Sequence, residues 1–374
     1  MPYPADPVVA PRRRRRWPLF LPFALIVLLA IAWTGFWFYA ASRAEVELAA
    51  WRQREQQAGR MLECATQSIG GYPFRLEVRC AGAAVELKGT PTLQIKLPSV
   101  LAAVQVYDPT LVISEFTAPV EISEPGQPPL AIADWRLGQA SVRGLPSSIE
   151  RTSVVLDTPS LRMPGVAGAD PVFKAQRLEL HGRQAAGSTP DNPVIETVVH
   201  LNSAVADRLH PVAAKPINAD IAASLRGLDD ISPKRWPVRF REWQARDGQL
   251  EILKARLVQD EVIAVGAGTL RLTPRGGLDG NLQVTVVGVE KLLKMFDIER
   301  FMSEGQVGAT LSALDRLIPG LGGIARQSAA PGLVAALGQR TELEGKPAVA
   351  FPVRFADGAV FLGPFQVGVI PPLF

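Results

Sequence analysis

Apolar and polar residues alternate with a period of two along much of the chain. In LQVTVVG, for example, Leu282, Val284 and Val286 alternate with Gln283 and Thr285, and GTLRLTP, IETVVHLN, NADIAASLRG and VAFPVRF repeat the pattern. This period is typical of β-strands with one buried and one wet face. Short turn sequences such as PGQPP and PRGG separate the stretches. We therefore predict a mainly β fold (β-rich α+β), built as a curved antiparallel meander sheet behind one N-terminal transmembrane helix.

A second pattern, with apolar residues three and four positions apart, precedes the last strands. It occurs in VEKLLKMFDIERFM (residues 289–302), in ATLSALDRLIPG (309–320) and, more weakly, in PGLVAALGQR (331–340). This spacing places apolar side chains on one stripe of a helix, and the Pro-Gly pair ends the second segment as expected of a helix. We expect these few helices to cover the curved sheet.

The longest apolar run lies near the N-terminus. No charged side chain occurs from Trp17 to Ser42. A helix that rises about 1.5 Å per residue crosses a hydrocarbon core of about 30 Å with about 20 residues, so this run predicts a transmembrane helix over residues 17–42. A cleaved signal peptide is the alternative, because YAAS supplies small residues. Signal h-regions run only to about 7–15 residues, which favours an uncleaved anchor.

Charges beside this helix predict its orientation. Dense cationic segments stay on the cytoplasmic side. We therefore expect a cytoplasmic tail at 1–16, the transmembrane helix at 17–42, a juxtamembrane helix at 43–63 and a periplasmic β-rich domain at 64–374. The predicted location is the bacterial inner membrane, with a single span, the N-terminus in the cytoplasm and the bulk in the periplasm. The topology signal consists of Arg12, Arg13, Arg14, Arg15 and Arg16.

The charge balance also bears on partners. The first 16 residues carry five Arg and one Asp, a balance equal to the net charge of +4 of the whole chain, so the remainder is formally neutral. A nucleic-acid surface needs an excess of Lys and Arg to neutralise several phosphates. We therefore predict no nucleic-acid partner, and the membrane itself as a partner of this integral protein.

The stretch GGYPFRLEVRC carries one of the two cysteines. Its alternation places Phe74, Leu76, Val78 and Cys80 on one face, which we expect to be buried, and the charged residues on the other. Cys64 ends a segment of helical composition. In an oxidising compartment the two cysteines can form a structural disulfide between this helix and the first strand, worth on the order of 3 kcal/mol. The spacing is unlike C-x-x-C, which argues against a redox pair, and two thiols without nearby histidines do not make a zinc site.

Two similar stretches suggest an internal repeat. DWRLGQASVRG, from Asp134, and EWQARDGQLEI, from Glu242, each run from an acid and a tryptophan into a strand-like tract. A duplicated β unit would explain this similarity, with two similar halves meeting near residues 187–193. A single continuous sheet is the alternative.

Candidate chemistry is sparse. The histidines are His181, His200 and His210, and none stands four residues from another; the alternation places His200 on a polar, solvated face. GAGTLR, from Gly266, has Arg271 where the third glycine of a dinucleotide fingerprint belongs, so it predicts a β-bulge or a small-residue packing site.

The two pairs of adjacent acids, Asp229–Asp230 and Asp260–Glu261, fall in predicted loops and are expected to be solvated turns. The sequence contains no H-E-x-x-H, P-loop or G-x-S-x-G motif. We therefore predict no catalytic, cofactor-binding or metal residues, no cofactor and no enzymatic activity.

Several segments together resemble a known family. GYPFRLEVRC, GTLRLTPRGGLDGNLQVTVVG and the closing FADGAVFLGPFQVGVIPPLF, behind an N-terminal span, resemble the alphaproteobacterial family of unknown function DUF2125 over nearly the whole chain after the span. This resemblance implies no activity and no catalytic residues. The cadence G-x-L…G-x-L-D-G-x-L is also similar to AsmA-like envelope proteins, which implies β-rich periplasmic grooves linked to lipid handling. The strongest DUF2125 motifs are carried by Gly71, Tyr72, Pro73, Phe74 and Arg75, and by Asp357, Gly358, Leu362, Gly363, Pro364, Pro371 and Pro372.

Three hypotheses for the function come from these observations. The first is a non-enzymatic envelope protein whose sheet presents an apolar groove to a lipid or another hydrophobic ligand, as the AsmA-like cadence implies. The second is a scaffold whose edge strands or terminal GVIPPLF dock an envelope protein partner. The third is a hydrolase assembled from loops, which requires a nucleophile and a base within about 3 Å of each other in a pocket.

Overall fold

A computed structural model describes residues 17–145, 148–189, 191–228, 230, 232, 234–291, 338–363 and 365–374. The structural statements below concern these residues. They form one long helix, two shorter helices, one 3-10 helix and twenty strands. The predicted mainly antiparallel β fold with an N-terminal apolar helix is confirmed.

The elements follow one another with strands in the majority. The helices are α1 (Trp17–Gln57), α2 (Pro164–Ala167) and α3 (Trp236–Ala245), with a 3-10 helix at Pro211–Ala214. The first ten strands are β1 (Arg60–Gly70), β2 (Arg75–Leu87), β3 (Leu93–Gln105), β4 (Asp108–Phe116), β5 (Val120–Ser123), β6 (Pro129–Asp134), β7 (Leu137–Arg143), β8 (Arg151–Asp157), β9 (Ser160–Arg162) and β10 (Pro171–Lys174). The next ten are β11 (Arg177–Gln184), β12 (Val194–Ala204), β13 (Ile217–Arg226), β14 (Gln249–Gln259), β15 (Val262–Leu272), β16 (Leu278–Val287), β17 (Gln339–Leu343), β18 (Lys346–Ala356), β19 (Ala359–Leu362) and β20 (Phe365–Val369).

All strands join one open, curled sheet in which paired neighbours are antiparallel. Next to β3, the short strands β4 and β5 lie end to end and act as one interrupted line. The pairs β7/β6, β8/β9 and β11/β10 continue as further interrupted lines. Strands β12 to β16 and β18 to β20 are then added one after another, with β17 beside the start of β18. The result is the predicted meander.

Four of these lines are interrupted at a common level, which we call the crease. Thr158, with φ 50°, marks one of these interruptions. The sheet does not break there, because the N–H of Thr158 donates to the carbonyl of Gln176 (2.8 Å) and the N–H of Gln176 donates to the carbonyl of Asn202 (2.9 Å). The hydrogen bonds of the sheet therefore continue across the crease. It comprises residues 117–119, 135–136, 158–159 and 175–176.

The juxtamembrane segment differs from its prediction. α1 runs without a break to Gln57 and β1 begins at Arg60, so the helix predicted over 43–63 is wrong in its last residues. Those residues pair with β2 along their whole length, and this tertiary pairing overrides helix propensity. Cys64 and Cys80 form a disulfide with a Cα–Cα distance of 5.3 Å. The bond therefore joins two strands instead of a helix and a strand.

α1 continues beyond its most apolar part and packs beside β1. Its less exposed side chains recur three or four positions apart, at Trp37, Ala41, Ala44 and Leu48. This spacing is that of one helix face. Near the end of the helix, Glu55 is ion-paired with Arg60 at the start of β1. The second half of α1 and β1 therefore run antiparallel, so that the end of β1 returns toward the middle of the helix.

Two residues of the GGYPFRLEVRC stretch, Phe74 before β2 and Glu77 within it, lie differently from the prediction. Phe74, expected to be buried, is 60% exposed, whereas Glu77, expected to be wet, is 7% exposed. The Glu77 carboxylate lies 3.5 Å from the Arg75 guanidinium and 2.7 Å from that of Arg79. A carboxylate with two cationic partners tolerates burial, because its charge stays compensated.

The sheet curls far enough for distant segments to meet. Arg235, just before α3, donates a hydrogen bond of 2.5 Å to the carbonyl of Thr90 in the turn between β2 and β3. A cavity of about 590 Å³ separates α3 from the first residues of β1 and the β2–β3 turn. α3 therefore links the middle of the chain to the end of the first three strands.

The dry core of the described residues is small. Val172 alone among the large side chains is fully buried. One compact cluster, Ile263, Val287 and Ala348, packs with Val258, Val265 and Leu343 near β17. Most other apolar side chains of the strands are only half-buried. One end of the sheet therefore has a buried apolar core, whereas most apolar side chains along its middle are only partly buried.

Some predictions fall outside the described residues or stay open. The helices expected at 289–302, 309–320 and 331–340 lie mostly outside them, and Gln339 and Arg340 belong to β17, so the end of the third predicted helix is wrong. Residues 187–193 connect β11 to β12, which pair with each other along their length. The sheet continues across this connection, and the duplication of two halves stays a prediction.

Candidate functional site

One face of the sheet, which we call the apolar face, carries apolar side chains from one end to the other. The strand register aligns one residue from each of twelve strands into a row that we call the central rung, and Ser114 is its only residue with a polar side chain. The central rung consists of Val78, Ala102, Ser114, Ala140, Val154, Leu180, Val199, Ile221, Ala255, Gly266, Val284 and Phe351.

The apolar face extends to both sides of the central rung. Leu156, Leu178 and Leu201 are aligned in one neighbouring row, and Leu282 and Val353 in the other. Because successive side chains of a strand point to opposite faces, the alternation within each strand becomes a continuous apolar surface once the register is set.

The middle of this surface is left uncovered by the described residues, whereas Phe351 at its late-strand end is buried. Their strands contact mainly the strands they pair with, and their helices mainly β1, β6, β10 and β15. Leu180 is 44% exposed and Leu257 40%. A sheet normally buries its apolar face against a second layer. The exposed middle of the apolar face is therefore the candidate functional site.

Two tryptophans cover parts of the apolar face, each above a glycine. The indole Nε1 of Trp135 donates to the carbonyl of Phe116 (2.9 Å), and its ring lies above Gly138. The Nε1 of Trp243 donates to the carbonyl of Arg226 (2.6 Å), and its ring lies above Gly248. A Cβ atom at either glycine would collide with the indole. These are the tryptophans of the two similar stretches, and each needs its glycine for close packing.

A cavity of about 430 Å³ opens at one edge of the apolar face. Gly182 and Thr152, aligned in neighbouring strands, form part of its floor, and Ile195 and Leu228 form apolar walls. Arg183 lies at its margin. Such a combination of apolar walls with a few polar groups is typical of small-molecule sites.

The opposite face, which we call the polar face, carries ion pairs and hydrogen bonds. Arg177 donates to Glu179 (2.5 Å), and Glu179 contacts His181 Nε2 at 3.1 Å. The hydrogen bond from Arg177, followed by that from His181, lowers the pKa of Glu179. His181 Nδ1 lies 2.9 Å from Ser153 Oγ. The sheet therefore brings together a serine, a histidine and a carboxylate that lie apart in the sequence.

A second polar row continues toward the late strands. His200 Nδ1 lies 2.7 Å from Asp220, and the His181 and His200 rings are 6.3 Å apart. Arg256 donates to both carboxylate oxygens of Glu344, and this hydrogen bond lowers the pKa of Glu344. The predicted solvated His200 lies on this face, half-exposed and paired. The polar face thus satisfies its own charges.

The serine–histidine–carboxylate contact lacks the surroundings of a hydrolase site. Ser153 lies in the middle of β8, which is paired with β7 on one side and β11 on the other. The ladder thereby uses the backbone N–H groups around Ser153, whereas acyl transfer needs free donors for an oxyanion. His181 keeps 37% of its side chain exposed on the open polar face. The serine, histidine and carboxylate side chains are close together, but their surroundings support a structural polar network.

Comparison with known proteins decides the family. The family model of uncharacterized proteins conserved in bacteria, DUF2125, matches residues 37–371. The chain belongs to the DUF2125 family. A search of curated proteins found no match. The description of the DUF2125 family names no activity.

Some of the predicted residues of the DUF2125 chain lie within the described residues and others do not. Cys64 and Cys80 form the disulfide that the sequence predicts. The five arginines of the topology signal lie outside the described residues. Gly266 lies on the central rung within β15, where its lack of a side chain widens the apolar face.

Asp229 lies outside the described residues, and the three described acids of the two predicted pairs do not converge on one site. Asp230 hydrogen-bonds to Ser232 N and lies 2.7 Å from Lys234 Nζ; burial opposes its ionisation, but these contacts hold its pKa below the usual value. Asp260 is paired with Lys215, and Glu261 is ion-paired with Lys291. No group of three His, Cys, Asp or Glu side chains within the described residues is arranged to hold a metal ion.

The apolar face itself could not be recognised from separate strands. Its signal, the period-two alternation, was visible in each strand, but the alignment of Leu180 with Val199 and Val154 depends on register. The Ser153–His181 contact was missed for the same reason. For Glu179 and His181 the signal was available, since residues two apart share a strand face.

Proposed function

We propose that this DUF2125 protein is a non-enzymatic envelope protein, anchored in the bacterial inner membrane by α1, that binds the hydrocarbon chains of a lipid along its apolar face in the periplasm. The observation that carries this proposal is the central rung, a row across twelve strands in which Ser114 is the one polar side chain. No second layer of described residues covers the middle of this row, around Leu180. Leaving apolar surface in water costs about 25 cal/mol per Å². A hydrocarbon chain along the rung would remove that cost.

The location rests on three features. α1 is long and apolar enough to cross a membrane, by length and composition. Five arginines precede it, and cationic flanks favour the cytoplasmic side. Cys64 and Cys80 are disulfide-bonded, which fits an oxidising compartment. Protease added to spheroplasts should therefore digest the body after residue 60 while a cytoplasmic marker survives, and a body protected until the membrane is lysed would refute this orientation.

Lipid binding can be tested by photo-crosslinking in the native membrane. A benzophenone amino acid at position 180 should capture phospholipid, because Leu180 lies on the apolar face and is 44% exposed. The matched control is Ile113, 49% exposed and aligned with Ser141 and Ser153 on the polar face. Equal capture of phospholipid at the two positions, or none at position 180, would contradict the proposal.

The scaffold hypothesis has less support. The terminal GVIPPLF does not project from the body: the N–H of Leu373 donates to the carbonyl of Gly276 (3.0 Å), and the Arg241 guanidinium lies 5.5 Å from the Phe374 ring centroid. A tail held in this way is a poor docking peptide. We therefore favour the apolar face as the functional surface.

A further inference from the structure

The turn that carries the G-Y-P-F-R box contacts the membrane-spanning helix. Trp33 Nε1 donates to the carbonyl of Pro73 (2.8 Å), and Trp37 Nε1 donates to the carbonyl of Arg75 (2.8 Å). The hydroxyl of Tyr72 is hydrogen-bonded to Thr34 Oγ1 at 2.8 Å. The turn is therefore held at the level of residues 33–37 of α1.

That level coincides with the outer boundary of the hydrocarbon core. If α1 enters the core at Trp17, directly after the arginines, about 20 residues bring it to Phe36 across about 30 Å. Residues 33–37 then lie where acyl chains meet headgroups on the periplasmic side. Trp33, which is only partly buried, is an aromatic residue suited to this depth.

The turn presents aromatic rings that the protein itself leaves open. Tyr72 is 54% exposed, Phe74 60% and Tyr107 69%. Tyr107 belongs to the adjacent turn between β3 and β4, which is tied to the first by a hydrogen bond from Val106 N to the Phe74 carbonyl (3.1 Å). We call Tyr72, Phe74 and Tyr107 the aromatic tip. Exposed aromatic rings cost free energy in water but are favourable at a membrane interface.

We propose that the aromatic tip inserts into the periplasmic leaflet of the membrane and brings the apolar face to the lipid surface. The partner is the boundary between phospholipid headgroups and acyl chains. Phe74 and Tyr72 precede Leu76 and Val78 at intervals of two, and Val78 begins the central rung. The apolar face would then start at the membrane, where a lipid chain can pass onto it. This inference rests on the proposed anchoring by α1.

Single cysteines labelled with the fluorophore NBD can test the insertion. Both native cysteines are in the disulfide and no free thiol competes. The full chain would be placed in nanodiscs of phosphatidylethanolamine and phosphatidylglycerol that contain nitroxide-labelled lipids. Phe74→Cys tests the aromatic tip. Val46→Cys is the matched control, 57% exposed and nine residues beyond Trp37, about 14 Å farther along the helix. Leu28→Cys, 64% exposed, reports whether α1 spans the bilayer.

The expected result is that nitroxide lipids quench most of the NBD emission at positions 28 and 74 and little at position 46. A different result would overturn the insertion of the aromatic tip but leave the anchor intact. In that result the label at position 28 is quenched, whereas the label at position 74 is quenched as little as the label at position 46. Loss of quenching at 28 as well would overturn both the anchor and this inference. Circular dichroism of each variant, compared with the parent, verifies that the sheet has formed.

Discussion

The two faces of this sheet are built from the same strands but satisfy their side chains in different ways. On the polar face, Arg177, Glu179 and His181 compensate one another at distances of 2.5 to 3.1 Å. On the apolar face, Leu180 and its cross-strand neighbours have no partner layer among the described residues. The side chains of the polar face are thus satisfied by contacts with one another, whereas the middle of the apolar face stays exposed. This difference is the reason why we propose the apolar face as the functional surface.

The largest effect is expected for a tryptophan that covers part of the apolar face. Trp243→Ala should lower the free energy of unfolding by about 3–5 kcal/mol, because it empties the space above Gly248 and removes the hydrogen bond to Arg226. Chemical denaturation of the full chain in detergent, followed by circular dichroism, measures this. The control is Trp236→Ala, at a residue that is 67% exposed in the same helix. Similar losses in both variants would mean that Trp243 does not act as a cover.

The disulfide comes next, because it cross-links β1 and β2 at the edge of the sheet. Cys64 and Cys80 are separated by 16 residues, and closing such a loop is worth about 3 kcal/mol. The double variant Cys64→Ser/Cys80→Ser should lose about that much stability in the same denaturation assay. Reduced parent protein should behave like the variant. A variant as stable as the oxidised parent would show that pairing of β1 with β2 suffices.

The comparison of faces predicts a smaller effect on lipid binding. Leu180→Asp should reduce lipid capture by a benzophenone at the neighbouring position 199 by about tenfold, or about 1.4 kcal/mol, because a carboxylate on the apolar face must be desolvated by the ligand. Ile113→Asp, on the polar face, should leave the capture unchanged. If both substitutions act alike, the faces do not differ in function.

The smallest effect is expected on the polar face. Glu179→Gln should cost at most about 1 kcal/mol at pH 7, as is usual for surface pairs. Because the pKa of Glu179 is lowered in the folded state, its contribution is fully present above the ordinary glutamate pKa of about 4.3 and is lost as the pH falls through the folded pKa. Thermal unfolding should therefore separate variant and parent at pH 7, and the difference should shrink as the pH falls below the ordinary glutamate pKa and through the lowered pKa of folded Glu179. A constant difference between them would refute the role of this charge.

The local sequence pattern predicted well which segments form strands, but it predicted poorly where the elements begin and end. The alternation in LQVTVVG and IETVVHLN predicted strands that are present as β16 and β12. Residues 60–63 have helical composition and yet join β1, because β2 offers them backbone partners along their whole length. Phe74 follows the strand alternation, but it lies in a turn beside α1 and stays exposed. In both cases a distant segment decided the outcome.

The sequence alone determined the apolar helix, the strand-rich body and the two-faced character of each strand, because these depend on residues close together in the chain. Only the tertiary structure decided that the apolar sides of twelve strands align into one row, that Ser153 meets His181, and that the G-Y-P-F-R turn rests against Trp33 and Trp37. The physical reason is register. A shift of one residue between two strands would send every side chain to the opposite face, and no single strand contains that information.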